Sequence, residues 1–373
     1  LEHGTEDTPG RLGAVLRAVG EPRPCALGPH GPWLATTLRQ ARVVLTDTAT
    51  YDFPVDVSRR AVRRAEATGR SPHETVAPLS RECARLAARL FRAELDDALE
   101  GGAPRPHDAM ELLRLPVARS TVLAVRPDLD VDARNDVSDA VLAWVDALGP
   151  VISSARPLRR WSRGRRGEEA ARRRLESLLD GLGDPAPPRT ATVLAAGTQV
   201  PIAAGAWLLV ALAERPALQS ELRIGTVAAD ALVWEVLRLA PPTWITARVT
   251  RRATVLEGVP VPEGAVVLVS PLQLGRLTDL VPVGEHEEGP ERGTLDPRRW
   301  QGGPARPGSW LPFGAGPHAC PGRTVGLAQL EELASWAAPR DIALAAPVGL
   351  DQSRGIFPRP ALIEVGAAAG SGG

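Results

Sequence analysis

Phe313-Gly314-Ala315-Gly316-Pro317-His318-Ala319-Cys320-Pro321-Gly322 sets a single cysteine in a glycine-rich run that leads straight into a helical pattern, Arg323-Thr324-Val325-Gly326-Leu327. Glycines let backbone N–H groups approach a sulfur, and Pro321 stands where it would open a helix at Gly322. The positive end of that helix would face Cys320, lower its pKa and temper its electron donation. A lone cysteine in a loop is ordinarily a buried free thiol. Five fixed residue types at the spacing F-x-x-G-x-H-x-C-x-G, however, arise by chance at roughly one start position in ten million on average composition. Cys320 therefore reads as a functional thiolate, the form of cysteine that serves as nucleophile or metal ligand.

Composition narrows what surrounds that thiolate. The 373 residues are 44% hydrophobic, enough for a sizeable core and within reach of one large domain. Aromatic residues at 4% leave little for base stacking, and a formal charge of zero lacks the basic excess that nucleic-acid binding needs. Every basic residue except histidine is arginine. Cys25, Cys83 and Cys320 form neither a disulfide framework nor a C-x-x-C pair, which points to a reducing, cytoplasmic setting. Leu1 to Leu34 is broken by charges, Pro and Gly and holds no signal-peptide core or membrane anchor. A soluble protein with no membrane and no nucleic-acid partner is expected.

The periodicity is mainly helical. Arg11 to Val19, Ala77 to Glu100, Leu112 to Leu123, Asp132 to Ala155, Glu168 to Leu182 and Thr226 to Leu239 read as helices. The basic run Arg159 to Arg166, with Gly164 and Gly167 nearby, reads as a solvated loop opening the helix at Glu168. Thr190 to Leu212 is apolar but carries Gln199 and Pro201, so it reads as a long buried helix and not a membrane span. Trp33 to Asp47 mixes short strand and helix pieces. Trp244 to Ser270 is β-branched and partly alternating, a small sheet in which Val259 to Gly264 reads as a turn, and Ile342 to Val365 is a second short β region. No repeat or low-complexity linker divides the chain, so a single domain over residues 1–373 is expected.

The cysteine run resembles the haem-binding signature of the cytochrome P450 family, and the likeness extends from about Glu74 to the C terminus, most specifically over Thr190 to Leu330. The resemblance implies a mainly α fold with a small β region, binding one haem b (iron protoporphyrin IX) through Cys320. Residues 313–322 would be the haem-thiolate loop, with Phe313, Gly314 and Gly322 shaping it, and about 190–212 the central distal helix. Arg248, after Pro241-Pro242, and His318 would hold the haem propionates. Arg81, in a stripe with Arg85, Arg89 and Arg92, would do the same; where the family often has His or Trp four residues before that Arg, this chain has Ala77, and His73 lies a further turn upstream. Arg81, Arg85 and Arg323 would form the docking surface for a ferredoxin-type redox partner. Glu235-x-x-Arg238 would lock with Arg299, from Leu295 to Trp300, in a buried structural triad that fixes the loop geometry.

Ala195 to Pro201 aligns with the family's oxygen-activating segment, A-G-x-[D/E]-T. Ala196 and Gly197 fit and leave room above an iron, but Gln199 replaces the acid and Val200 the alcohol. An amide cannot supply a proton and a valine cannot relay one. Thr198 lies about 200° around the helix from the alcohol position, unless a distortion at Pro201 swings it inward. Three readings follow. The expected one is a monooxygenase of a hydrophobic small molecule in secondary-metabolite biosynthesis, with the relay supplied by the substrate or by water held on Gln199 and the carbonyl freed by Pro201. The second is a haem-thiolate enzyme that bypasses oxygen activation, as a peroxygenase or in dehydration, rearrangement or coupling. The third is a catalytically silent helper that binds a partner enzyme.

Overall fold

The computed structural model describes residues 10–29, 31–53, 76–99, 106–152, 154, 158–159, 161–283, 293–301, 308–352 and 355–367. In chain order these form α1 (Gly10–Arg17), β1 (Cys25–Ala26), β2 (Trp33–Ala35), α2 (Leu38–Thr46), β3 (Tyr51–Asp52), α3 (Arg81–Leu99), β4 (His107–Asp108), α4 (Ala109–Val125), α5 (Val131–Ile152) and α6 (Arg163–Gly181). There follow α7 (Pro187–Glu214), α8 (Pro216–Ile224), α9 (Ala229–Leu239), β5 (Thr246–Thr250), β6 (Thr254–Leu256), β7 (Val259–Val261), β8 (Val266–Val269) and α10 (Pro271–Leu274). Two 3-10 turns, Pro297–Trp300 and Gly316–His318, precede α11 (Arg323–Ala337), β9 (Ile342–Leu344), β10 (Leu350–Asp351), β11 (Phe357–Pro358) and β12 (Leu362–Val365). The chain falls into two compact units, each made of two separated segments: residues 1–77 with 234–321, and residues 78–233 with 322–373.

The first unit is built on a five-stranded sheet of order β1-β2-β8-β5-β3. β2 and β8 run parallel, pairing Leu34 with Leu268, and β5 is antiparallel to β8, pairing Arg248 with Val267. Thr37 starts α2 with a capping box, its hydroxyl accepting from the Gln40 N–H. The stretch Val259 to Gly264 differs from the sequence reading. Val259–Val261 is a strand paired with β6 through a turn at Glu257 (φ 45°) and Gly258 (φ 82°), and the expected turn is confined to Glu263 and Gly264 (φ 75°) at the end of the stretch. Two successive positive φ values are what a two-residue hairpin needs, and they outweigh the prolines at 260 and 262.

The second unit is helical, with α7 at its centre. Ile202 through Leu212 are all buried, and the Trp207 indole donates to the Ile356 carbonyl at 2.7 Å. Its small residues permit close packing: a Cβ at Gly205 would lie 2.8 Å from Leu113 on α4 and 2.9 Å from Leu333 on α11. α7 is long and apolar enough to cross a membrane, but most of that apolar window is buried inside the protein, as in a core helix. Val137, Val141, Trp144, Leu175, Leu179 and Leu194 join α5, α6 and α7 in one apolar cluster. β4, β12 and β9 form a three-stranded sheet.

Helix starts differ from the periodicity where a cap decides them. α3 begins at Arg81 and not Ala77, because the Ser80 hydroxyl accepts from the Cys83 N–H at 3.1 Å. α6 begins at Arg163, so Arg163, Arg165 and Arg166 of the basic run are helix and not loop, while Arg159 lies outside the helix: Ser162 accepts from the Arg165 N–H at 3.3 Å, and Arg172 and Arg173 pair with Glu176 and Glu169. A cap and side-chain pairs of this kind offset the cost of Gly164 and Gly167. α8 is absent from the sequence reading although Pro216 at its first position and left-handed Gly225 at its end are its punctuation.

Candidate active site

The cysteine loop takes its shape from positive-φ positions. Leu311 (59°), Gly314 (69°) and Gly316 (72°) turn the chain so that the Gly314 N–H reaches the Leu311 carbonyl at 3.0 Å and the Cys320 N–H reaches the Phe313 carbonyl at 2.9 Å. Cys320 is exposed at the end of this loop. Pro321 and Gly322 form a turn and α11 starts at Arg323, one residue later than expected. At Gly316 a Cβ would sit 2.8 Å from the Leu45 carbonyl oxygen and 3.0 Å from the Thr46 methyl, so only glycine lets the loop lie this close to α2. Gly316→Ala should therefore cost about 2 kcal/mol, through both the clash and the left-handed φ; a urea-unfolding midpoint unchanged from the parent would contradict this packing.

Phe53 brings together two residues that lie seventy positions apart in the sequence. The Arg248 guanidinium stands over the Phe53 ring at 4.0 Å, and the His318 ring meets Phe53 edge-on at 4.8 Å. Arg248 is only 5% exposed, and its Nη1 donates to the Thr246 hydroxyl at 3.2 Å and the Ala247 carbonyl at 2.9 Å. Burial lowers its pKa, against a smaller opposing effect from the charge of Asp52. A buried cation in this position suits an added carboxylate. Phe53 was not visible as a site residue, since no motif surrounds it.

Behind the loop, Glu235, Arg238 and Arg299 meet in the core, at 0%, 0% and 5% exposure. The Glu235 carboxylate accepts from Arg238 Nε (2.9 Å) and Nη2 (2.6 Å), Arg299 Nε (3.0 Å), the Asp296 N–H (2.9 Å) and the Trp300 indole (2.8 Å). Further guanidinium N–H groups of Arg238 and Arg299 donate to the backbone carbonyls of Gly275, Thr294 and Pro282. From Trp300 an aromatic ladder leads back to the loop: Trp300 packs on Trp310 at 5.0 Å, Trp310 on Trp234 at 5.9 Å, and Trp234 on Phe313 at 6.1 Å. The tryptophans were the signal that sequence reasoning passed over, and they give the triad a physical path to the cysteine loop.

On α7, Ala196 and Val200 lie one turn apart and are both exposed, Val200 at 37%. They share one open face. Thr198 is fully buried and its hydroxyl donates to the Leu194 carbonyl at 2.8 Å, so it does not swing toward the alcohol position. The reason is that α7 stays helical through Pro201; of the two outcomes a proline at this place allows, a bend or an opening near Gly197, the helix shows no opening. The Gly197 carbonyl that Pro201 frees accepts from the Thr121 hydroxyl at 3.3 Å. Gln199 lines a separate polar pocket of about 20 Å³ with Glu111, Arg114, Asp146 and Arg359. Arg114 grips Asp146 there with two bonds, at 3.0 and 2.7 Å.

Of the arginine stripe, Arg81, Arg85 and Arg89 are exposed, while Arg92 pairs with Glu332 on α11 at 2.7 Å. His73 lies outside the described residues.

The sequence pattern of the family described as Cytochrome P450 matches residues 228–335, the span from α9 to α11 that contains the triad and the cysteine loop. Cyclooctat-9-en-7-ol 5-monooxygenase of Streptomyces melanosporofaciens is 38% identical over 112 residues, 29% of this chain and 23% of that enzyme, so the chain matches less than a quarter of that relative's length. Erythromycin C-12 hydroxylase of Saccharopolyspora erythraea is 27% identical over 347 residues, covering 85% of this chain and 83% of that protein. Among solved structures, CYP175A1 from Thermus thermophilus superposes with a TM-score of 0.71 at 18% identity, over 94% of this chain and 93% of the other. The cysteine loop, its buried triad and a fold shared along nearly the whole chain are all consistent with the cytochrome P450 family, whose pattern the span 228–335 matches.

Proposed function

We propose that the protein is a haem-thiolate monooxygenase that oxidises a hydrophobic small molecule in secondary-metabolite biosynthesis. The observation that carries this reading is Cys320, exposed at the end of a loop whose backbone is locked on both sides. Its donor set suits haem b: a soft thiolate for iron, and Arg248 with His318 for the two propionates. When bound, the haem supplies the oxidising chemistry of the iron centre. Cys320 would hold it, Arg248 and His318 would neutralise its carboxylates, and Gly314 and Gly316 keep side chains out of the loop's path. The relatives named above, an oxygenase of a cyclic alcohol and a hydroxylase of erythromycin, support a substrate of that general kind. Arg81, Arg85 and Arg323 remain the proposed docking surface for a ferredoxin-type partner, in the cytoplasm. We propose further that both units belong to one domain, since neither is a continuous stretch that a single linker could release.

The open face of α7 favours one refinement. Ala196 and Val200 carry no hydroxyl, and the Thr198 proton is committed to the Leu194 carbonyl. Proton delivery by the substrate's own hydroxyl or by water is the version this face supports. Substrate-coupled product formation with reductase, ferredoxin and dioxygen, in the presence of catalase, is the expected outcome. Product formed only when peroxide is added would move the assignment to a peroxygenase, and activation of a partner enzyme by haem-free protein would move it to a helper.

A further inference from the structure

Pro201 lacks an N–H, so the Gly197 carbonyl four residues earlier loses its regular helical donor. The helix nevertheless continues from Pro187 to Glu214. The missing donor is replaced from a neighbouring helix: Thr121 Oγ1 on α4 donates to the Gly197 oxygen at 3.3 Å. The two helices meet closely here, since a Cβ at Gly197 would lie 3.0 Å from the Thr121 methyl. Behind Thr121, Gln329 of α11 donates through Nε2 to both Thr121 Oγ1 (3.2 Å) and Ser120 Oγ (2.8 Å). Ser120 Oγ in turn donates to the Pro116 carbonyl at 2.6 Å. Ser120, Thr121 and Gln329 are 0%, 3% and 1% exposed.

Proton counting fixes the direction of every bond in this group. A hydroxyl has one proton, and carbonyls can only accept, so Ser120 and Thr121 have each given theirs away. Toward Gln329 both oxygens can only accept, and the residue there must present an N–H₂ group. The Gln329 Oε1 is buried without a hydrogen-bond partner, which leaves the amide nitrogen as the working end. A carboxylate at 329 would demand the two hydroxyl protons for itself and so strip the Gly197 carbonyl of its donor.

We propose that Thr121 and Gln329 are positioning residues of the α7 segment: a one-way donor chain, amide to hydroxyl to carbonyl, stands in for the Pro201 N–H and keeps Ala196 and Val200 on one face. The role assigned to that face rests on the haem-thiolate reading; the hydrogen-bond substitution does not.

The test is a double-mutant cycle in the full-length, haem-loaded protein, read by thermal midpoint and by imidazole titration of the ferric Soret band. Thr121→Val should lower the midpoint by roughly 2 °C and change imidazole affinity on the order of threefold, as for loss of one buried hydrogen bond. With Pro201→Ala, which restores the N–H, the same change should lose most of both effects. Thr121→Ser should behave as the parent, and Gln329→Glu should reproduce Thr121→Val. Equal cost of Thr121→Val with and without Pro201, or a Gln329→Glu protein indistinguishable from the parent, would overturn the proposal. Should the chain take up no haem, the imidazole arm would fail and count against the haem-thiolate reading, while the thermal cycle would still decide the substitution.

Discussion

Glu235→Ala should cost about 3–5 kcal/mol of folding stability, the range for leaving buried charges without their partner. The carboxylate collects two donors from Arg238, one from Arg299, the Asp296 N–H and the Trp300 indole, and all three charged residues are withdrawn from water. Removing it strands two guanidinium groups in the core. Since whole domains are stable by only about 5–15 kcal/mol, soluble yield should collapse or the urea midpoint should fall to a large fraction below the parent's. Glu235→Gln retains one acceptor oxygen and should fall between the two. The damage should also reach the cysteine loop through Trp300, Trp310, Trp234 and Phe313, so haem content per folded chain should drop further than the midpoint alone implies. An alanine variant within about 1 kcal/mol of the parent would show that the triad is an ordinary solvated pair.

Arg238 and Arg299 were legible in the sequence because a short motif fixes each of them: one helical turn joins Glu235 to Arg238, and Pro297 opens the turn that carries Arg299. The cysteine loop was legible for the same reason, as contiguous glycines and a cysteine. What was not legible depends on partners far away in the chain. Phe53 acquires its place only when β3 pairs with β5 and puts it under Arg248. Thr121 and Gln329 look like ordinary helix residues until α4, α7 and α11 pack together. Thr198 shows the same limit from the other side: an exposed and a buried helical position differ by a rotation that a break at Pro201 would have altered, and the Thr121 donor removed the reason for the break. The start of α6 failed for a local reason, because Gly164 and Gly167 spoke against helix more loudly than the Ser162 cap spoke for it.

Cys320→Ser has the larger functional effect and the smaller structural one. The side chain is exposed and the loop is held by its backbone, through the Cys320 N–H to the Phe313 carbonyl and the Gly314 N–H to the Leu311 carbonyl. Serine keeps both bonds and nearly the same volume, so the thermal midpoint of the haem-free chain should stay within about 1 °C of the parent, as for a surface change. What changes is the ligand: a hydroxyl at neutral pH is neither a soft donor nor an anion, and it cannot replace a thiolate on iron. Monooxygenase turnover should disappear with folding intact, which separates this variant from Glu235→Ala, where both go together.

The most direct measurement is the absorption spectrum of the reduced, carbon-monoxide-treated protein beside its Cys320→Ser variant. The parent should show the red-shifted Soret band of thiolate ligation and the serine variant should lack it. Absence of that band in the parent, or its persistence in Cys320→Ser, would contradict the assignment of Cys320 as the iron ligand.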